Sequence, residues 1–172
     1  MVSRLGKGGF SSVYLARDIQ HGDLLVALKV ISLTALRSDQ ASQLTRYFFR
    51  EAAVLRELDH PGLPAVHDFI STPDILLLVL EWIPGTNLQQ YLQERSVDTR
   101  EIMDWATQIC QVLEYLHSRQ PSPILLGDLK PSNLILTFHG KVKVIDFGVA
   151  QPLRDAQADG QRLALVSPGY SP

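Results

Sequence analysis

Hydrophobic and polar positions alternate at the start of this chain and then change period. After a short apolar start over Val2 to Leu5, Ser12 to Arg17 places Val13 and Leu15 on one face and Tyr14 and Ala16 on the other, which predicts a strand. Leu24 to Ile31 is a second strand, reached through a turn at His21-Gly22-Asp23. Leu44, Phe48, Ala52, Leu55 and Leu58 then recur at three- and four-residue spacing. They predict an amphipathic helix capped by Ser38 or Asp39 and running to about Leu58, where Asp59-His60-Pro61-Gly62 stops it. Ala65 to Ile70 and Ile75 to Leu80 return to strand patterning around a Ser71 to Asp74 turn. Glu81-Trp82-Ile83-Pro84-Gly85-Thr86 breaks the pattern and has the composition of a linker.

Residues 87–118 are helical in pattern. A short helix runs from Asn87 to about Glu94. A longer one follows, with Asp98 and Glu101 in a capping-box arrangement. Its expected apolar face is Ile102, Trp105, Ala106, Ile109, Val112, Leu113 and Leu116. Two further apolar runs, Leu134 to Thr137 and Val142 to Ile145, are joined at His139-Gly140 and predict a hairpin. The fold class is α+β: a mainly antiparallel sheet with one helix over residues 1–80, then a mainly helical part.

Composition narrows this picture. The 172 residues are 45% apolar and 20% charged, enough for one core or two small lobes sharing a cleft. The net charge of −2, without a basic block, gives no sign of a nucleic-acid partner. The one cysteine, Cys110, cannot form an internal disulfide, which fits a reducing, cytoplasmic setting. No apolar run approaches the roughly 20 residues of a membrane span.

The candidate chemistry sits at a few charged residues in apolar surroundings. Gly6 and Gly8 flank Lys7 ahead of a strand; such a loop either lets backbone N–H groups approach a phosphate or is a plain tight turn. The strand that follows argues against a dinucleotide-binding fold and a P-loop, since both set the phosphate at a helix N-terminus. Lys29 lies in Val26-Ala27-Leu28-Lys29-Val30-Ile31, with apolar neighbours on both faces. It is either a solvent-facing residue of an edge strand or a phosphate-binding lysine paired with Glu51, the carboxylate on or beside the apolar stripe of the first helix. Asp128, Lys130 and Asn133 share one tight loop. A hairpin that sets Asn133 beside Asp146, of Asp146-Phe147-Gly148, makes an amide-plus-carboxylate site for a hard cation such as Mg²⁺.

In this order the motifs resemble the eukaryotic-like (Hanks-type) protein kinase family: a glycine loop with Phe10 and Val13, Val26-Ala27-Leu28-Lys29, the helix glutamate, Asp128-Leu129-Lys130-Pro131-Ser132-Asn133 and Asp146-Phe147-Gly148. The wording is most similar to bacterial Ser/Thr kinases. The resemblance implies a two-lobe fold with an N-lobe over 1–80, a hinge over 81–86 and part of a C-lobe over 87–172. It implies transfer of phosphate from Mg·ATP to Ser or Thr of a protein substrate. Gly6, Gly8 and Val13 would cover the nucleotide, with Lys29 on its phosphates and Glu51 holding Lys29. Ala27 and Ile135 would sandwich the adenine, Leu80 would be the gatekeeper, and Glu81 and Ile83 would offer hinge backbone groups. Asn87 would meet the ribose. Asp128 would orient or deprotonate the hydroxyl, Lys130 would neutralise the transferred phosphate, and Asn133 and Asp146 would hold Mg²⁺.

The sequence also departs from that family. Leu126-Gly127 stands where His-Arg is usual. The Leu fits an apolar stack with Leu55, Val66 and Phe147, but the Gly removes the arginine that pairs with an activation-segment phosphate, so switching by phosphorylation between residues 149 and 167 is not expected. Ser11 replaces a third glycine, and Ser167 stands for a threonine. His60 and His67 are expected to be structural. The family continues beyond the position of Pro172, so an incomplete helical lobe is expected here, with exposed apolar faces on the 99–118 helix and the hairpin and marginal stability. Two other activities remain open on the sequence: a small-molecule phosphotransferase, which shares Gly127-Asp128, and an inactive ATP-binding scaffold.

Overall fold

A computed structural model of the chain describes residues 1–7, 11–34, 36–145 and 151–152, without the side chains of Arg50, Glu51, Gln151 and Pro152. The chain divides into two compact units, Met1–Leu58 with Pro64–Ile83, and Asp59–Leu63 with Pro84–Pro172. Among the described residues no helix is long and apolar enough to cross a membrane.

The first unit is a five-stranded antiparallel sheet and one helix. Its strands are β1 (Ser3–Lys7), β2 (Ser11–Asp18), β3 (Leu24–Ser32), β4 (Val66–Ser71) and β5 (Ile75–Glu81), in the order β1-β2-β3-β5-β4. The apolar start is therefore a strand that runs through Gly6 to Lys7, with an irregularity between Arg4 and Gly6. The turn between β2 and β3 uses positive φ at Gly22 and at Asp23. Beside it, the hydrogen bond from His21 holds the Asp18 carboxyl below its ordinary value. Val26, Leu76 and Leu78 are buried in the centre of the sheet.

Helix α1 (Ser38–Arg56) buries Phe48, Ala52 and Leu55, as its period requires. Its cap differs from the expected Ser38 or Asp39. Both residues lie inside the helix, and Arg37 is the cap, its N–H donating to the Gln40 side chain at 3.2 Å. The helix also ends two residues early. The N–H groups of Glu57 and Leu58 return to Val54 and Leu55, a tighter turn that satisfies the last carbonyls.

After Asp59–Leu63, the first element of the second unit is β6 (Gly85–Asn87), which overlaps the stretch read as linker. Helix α2 (Leu88–Glu94) follows, capped by the Asn87 side chain, then α3 (Thr99–His117). The Asp98–Glu101 capping box forms at both of its bonds, 2.8 and 3.1 Å. Tyr91 of α2 meets Trp105 of α3 edge to face at 5.7 Å. The buried face of α3 is Trp105, Val112 and Leu116, with Ile109 and Leu113 half-buried. Ile102 and Ala106 were expected on that face but are exposed, Ile102 by 48%. They sit at the margin of a stripe narrower than the apolar pattern suggested.

The strand β7 (Ile124–Leu125) pairs with β10 (Gln151–Pro152), and a 3-10 turn at Pro131–Asn133 leads into β8 (Leu134–Thr137) and β9 (Val142–Val144). These last two form the expected hairpin, with Gly140 at φ 71° in its turn. Together with β6 they make a three-stranded sheet in the order β6-β8-β9. The edge strand β9 does not leave its outer groups bare. Val142 N–H donates to the Gln108 side chain of α3 at 3.0 Å, and Val144 N–H donates to the Gly62 carbonyl at 2.9 Å.

The second of those bonds explains why Asp59–Leu63 groups with the second unit. Tyr115 takes the Asp59 N–H at 2.9 Å and stacks on His60 at 5.0 Å between ring centres. His60 in turn accepts the Gly62 N–H at 3.0 Å. A Cβ on Gly62 would lie 2.4 Å from a Val112 methyl, so any larger residue there would force the buried Val112 side chain to shift. His60 is structural, as expected.

Candidate active site

In the first unit the pleat gathers most of the candidate nucleotide residues. Directly opposed residues of neighbouring strands share a sheet face, as do residues two apart on one strand. Gly6 opposes Val13, Val13 opposes Lys29, Lys29 opposes Leu78, and Leu78 opposes Phe69. Two residues along, Ala27 opposes Leu80. Gly6, Val13, Ala27, Lys29 and Leu80 therefore lie on one face. Because β3 is the third of five strands, the edge-strand reading of Lys29 is excluded; the residue is half-buried in the middle of the sheet. Phe49 of α1 meets Phe69 edge to face at 6.0 Å, so the helix that carries Glu51 packs against this same face. The Glu51 side chain and Gly8 lie outside the described residues.

One backbone bond and one side-chain bond mark the end of this unit. Glu81 N–H donates to the Ala65 carbonyl at 2.8 Å, and the Glu81 carboxylate accepts the Ala65 N–H at 3.1 Å. This reciprocal pair fixes the last residue of β5 against the chain entering β4. Ile83 is buried.

In the second unit the loop before β8 is built around one buried asparagine. Pro131 opens the 3-10 turn, and Lys130 before it is extended, as a residue preceding proline prefers. Asn133 N–H closes the turn on the Lys130 carbonyl at 2.9 Å. The Asn133 side chain, 7% exposed, turns back and donates to the Asp128 carbonyl at 2.9 Å and to its carboxylate at 3.2 Å. Lys130 Nζ lies 2.6 Å from the same carboxylate oxygen. Asp128 thus has a cation and an amide fixed on Oδ2, in a partly buried setting where such bonds are strong.

The Asn133 carbonyl accepts the Ile145 N–H at 2.9 Å, which ties the end of the hairpin to the loop one residue ahead of Asp146 in sequence. Asp146, Phe147 and Ser167 lie outside the described residues. Among the described residues no hydrogen bond reaches the amide oxygen of Asn133, and an amide oxygen is a donor that hard cations accept. The donor chemistry of Asn133 with the Asp146 carboxylate fits Mg²⁺.

Ile135 is half-buried on β8, opposite Asn87 and Lys143. Asn87 itself is engaged at both ends of its amide. Its oxygen accepts the Gln89 N–H at 3.0 Å and its nitrogen donates to the Ser132 carbonyl at 2.6 Å. Sequence reasoning did not find the supports of this loop: Gln108, which holds the hairpin at two points, and Gly85, where a Cβ would lie 2.4 Å from the Leu136 carbonyl oxygen. Gly85 had a signal, a Pro-Gly pair read as a break; Gln108 had none.

Comparison with known proteins gives one family. The protein kinase domain family matches residues 1–172. The probable serine/threonine-protein kinase PknB of Lactococcus lactis is 33% identical over 156 residues, 90% of this chain and 24% of that protein. Serine/threonine-protein kinase PrkC of Bacillus subtilis is 34% identical over 169 residues, 96% of this chain and 25% of that protein. The human serine/threonine-protein kinase tousled-like 1 is 33% identical over 171 residues, 96% and 22% of the two chains. The chain spans about a quarter of the length of these relatives.

Proposed function

This chain belongs to the protein kinase domain family, and from that membership we propose that the protein transfers the γ-phosphate of Mg·ATP to Ser or Thr hydroxyls of a protein substrate. One observation carries the reading: Asp128, Lys130 and Asn133 are locked together around a single carboxylate oxygen. Phosphoryl transfer asks a protein for placement and charge neutralisation more than for covalent chemistry. A fixed carboxylate beside a fixed ammonium supplies both.

In this reading Asp128 receives the substrate hydroxyl and takes up its proton as the oxygen attacks. Lys130, already held on Asp128, offsets the charge on the phosphate in transit. Asn133 and Asp146 hold Mg²⁺, which when bound neutralises phosphate charge. In the first unit, Gly6, Gly8 and Val13 cover the nucleotide and Ala27 contacts its base; Ile135, a residue of the second unit, is assigned to the base as well. Leu80, Glu81 and Ile83 line the base edge, and Lys29, steadied by Glu51, binds the phosphates. The shared sheet face of Gly6, Val13, Ala27, Lys29 and Leu80 supports that grouping.

The test is labelled ATP with a generic protein substrate, followed by analysis of the labelled residue. Label on Ser or Thr that disappears in Asp128→Asn agrees with the reading. Label on Tyr alone refutes the substrate class, and label on an aminoglycoside or choline-like compound refutes protein as the acceptor.

A further inference from the structure

Asn87 stands where three attachments meet. Its backbone pairs with Ile135 at the end of β6, its side-chain oxygen caps α2 through Gln89 N–H, and its side-chain nitrogen reaches Ser132, 45 residues further on. That last bond is part-buried and, at 2.6 Å, as short as the Lys130–Asp128 contact. Ser132 is the middle residue of the 3-10 turn. On one side of it are Asp128 and Lys130, and on the other is Asn133. A single 3-10 turn has poor internal hydrogen-bond geometry, and this one is closed by the bond from Asn133 N–H to the Lys130 carbonyl. A donor anchored on a strand and a helix start is a rigid external hold for it.

From this we infer that Asn87 is a positioning residue for the Asp128–Lys130–Asn133 loop, and not a ribose-binding residue as the family resemblance implies. The two bonds use one N–H and one lone pair of the amide, so the exchange and nucleotide measurements below decide between the two roles. The kinetic consequence of this inference rests on the phosphotransfer reading; the structural consequence does not.

Two variants separate the tasks of the amide. Asn87→Asp and Asn87→Ser both keep an oxygen to cap α2; Asp has no donor for the Ser132 carbonyl, and the Ser hydroxyl, one bond shorter than the amide nitrogen, falls short of it. In the full chain, amide hydrogen exchange is expected to rise roughly tenfold over residues 128–134 in both variants, the size of one lost part-buried bond, and to stay unchanged over 88–94. Unchanged exchange over 128–134 would overturn the inference. So would equal loosening of both segments, which would make Asn87 a helix cap alone.

With substrate, kcat is expected to fall roughly tenfold while KM for ATP moves less than about twofold, and the same ratio should hold with 2′-deoxy-ATP and 3′-deoxy-ATP. A rise in KM that vanishes with either deoxynucleotide would show a ribose contact and overturn the inference. A wild-type chain without turnover would refute the phosphotransfer reading, and the exchange result would still decide the role of Asn87.

Discussion

Replacing Gln108 by Leu removes a side chain that holds the β8–β9 hairpin at two points. Its amide nitrogen donates to the Gly140 carbonyl at 3.1 Å and its oxygen accepts the Val142 N–H at 3.0 Å. The two losses differ in size. Gly140 is exposed, so water replaces the donor and the net loss is about 0.5 kcal/mol. Val142 is 3% exposed on an edge strand, and its N–H loses the acceptor that the sheet does not supply. An unsatisfied buried group costs about 1–3 kcal/mol. The sum is about 2 kcal/mol, which raises local opening about 30-fold at tenfold per 1.4 kcal/mol.

Gln108→Glu keeps the oxygen facing Val142 and gives up only the bond to Gly140, so its effect should stay near threefold, from about 0.5–1 kcal/mol. Native-state hydrogen exchange of a peptide covering 136–144 measures both variants. Equal effects in the two, or less than about threefold in Gln108→Leu, would refute the claim that the Val142 N–H depends on this side chain.

Further outcomes follow from the same structure. Gly85→Ala sets a methyl 2.4 Å from the Leu136 carbonyl oxygen, about 1 Å inside ordinary contact, so β6 and β8 must part; a loss of about 1–3 kcal/mol in a denaturation midpoint is expected. Gly6→Ala meets nothing within 4 Å and should leave the midpoint unchanged while raising KM for ATP, because a methyl there obstructs only an approaching phosphate. Gly127 offers no cation for an activation-segment phosphate, so phosphatase treatment should change activity by less than about twofold.

The elements were legible because their periods are strong. The α1 stripe of Phe48, Ala52 and Leu55 and the hairpin around Gly140 are written in spacing and turn chemistry. The motif residues Asp128, Lys130 and Asn133 were legible because three polar residues in an apolar stretch need a joint explanation, and the structure joins them on one oxygen. What stayed hidden is partnership across long separations. Gln108 is an ordinary polar residue of a helix until the outward N–H of Val142 meets it. Asp59-His60-Pro61-Gly62 reads as a helix stop, and its second task, completing the edge of β9, depends on a strand 82 residues further on (144 − 62, from Gly62 to Val144). The cap of α1 was misplaced because Ser38 and Asp39 have cap chemistry, while the Gln40 side chain that reaches back to Arg37 settles the start. Ile102 is apolar and in phase, yet 48% exposed, because periodicity gives the direction of a face and not its width.

The central claim is that one carboxylate, Asp128, receives a protein hydroxyl while Lys29 holds the nucleotide. Transfer of label from γ-labelled ATP to a protein substrate, measured beside equilibrium ATP binding for wild type, Lys29→Ala and Asp128→Asn, tests it most directly. Wild type should label Ser or Thr, Lys29→Ala should weaken binding and abolish transfer, and Asp128→Asn should bind ATP as wild type does while losing transfer. Wild-type ATP binding without any transfer, or full transfer by Asp128→Asn, would contradict the account.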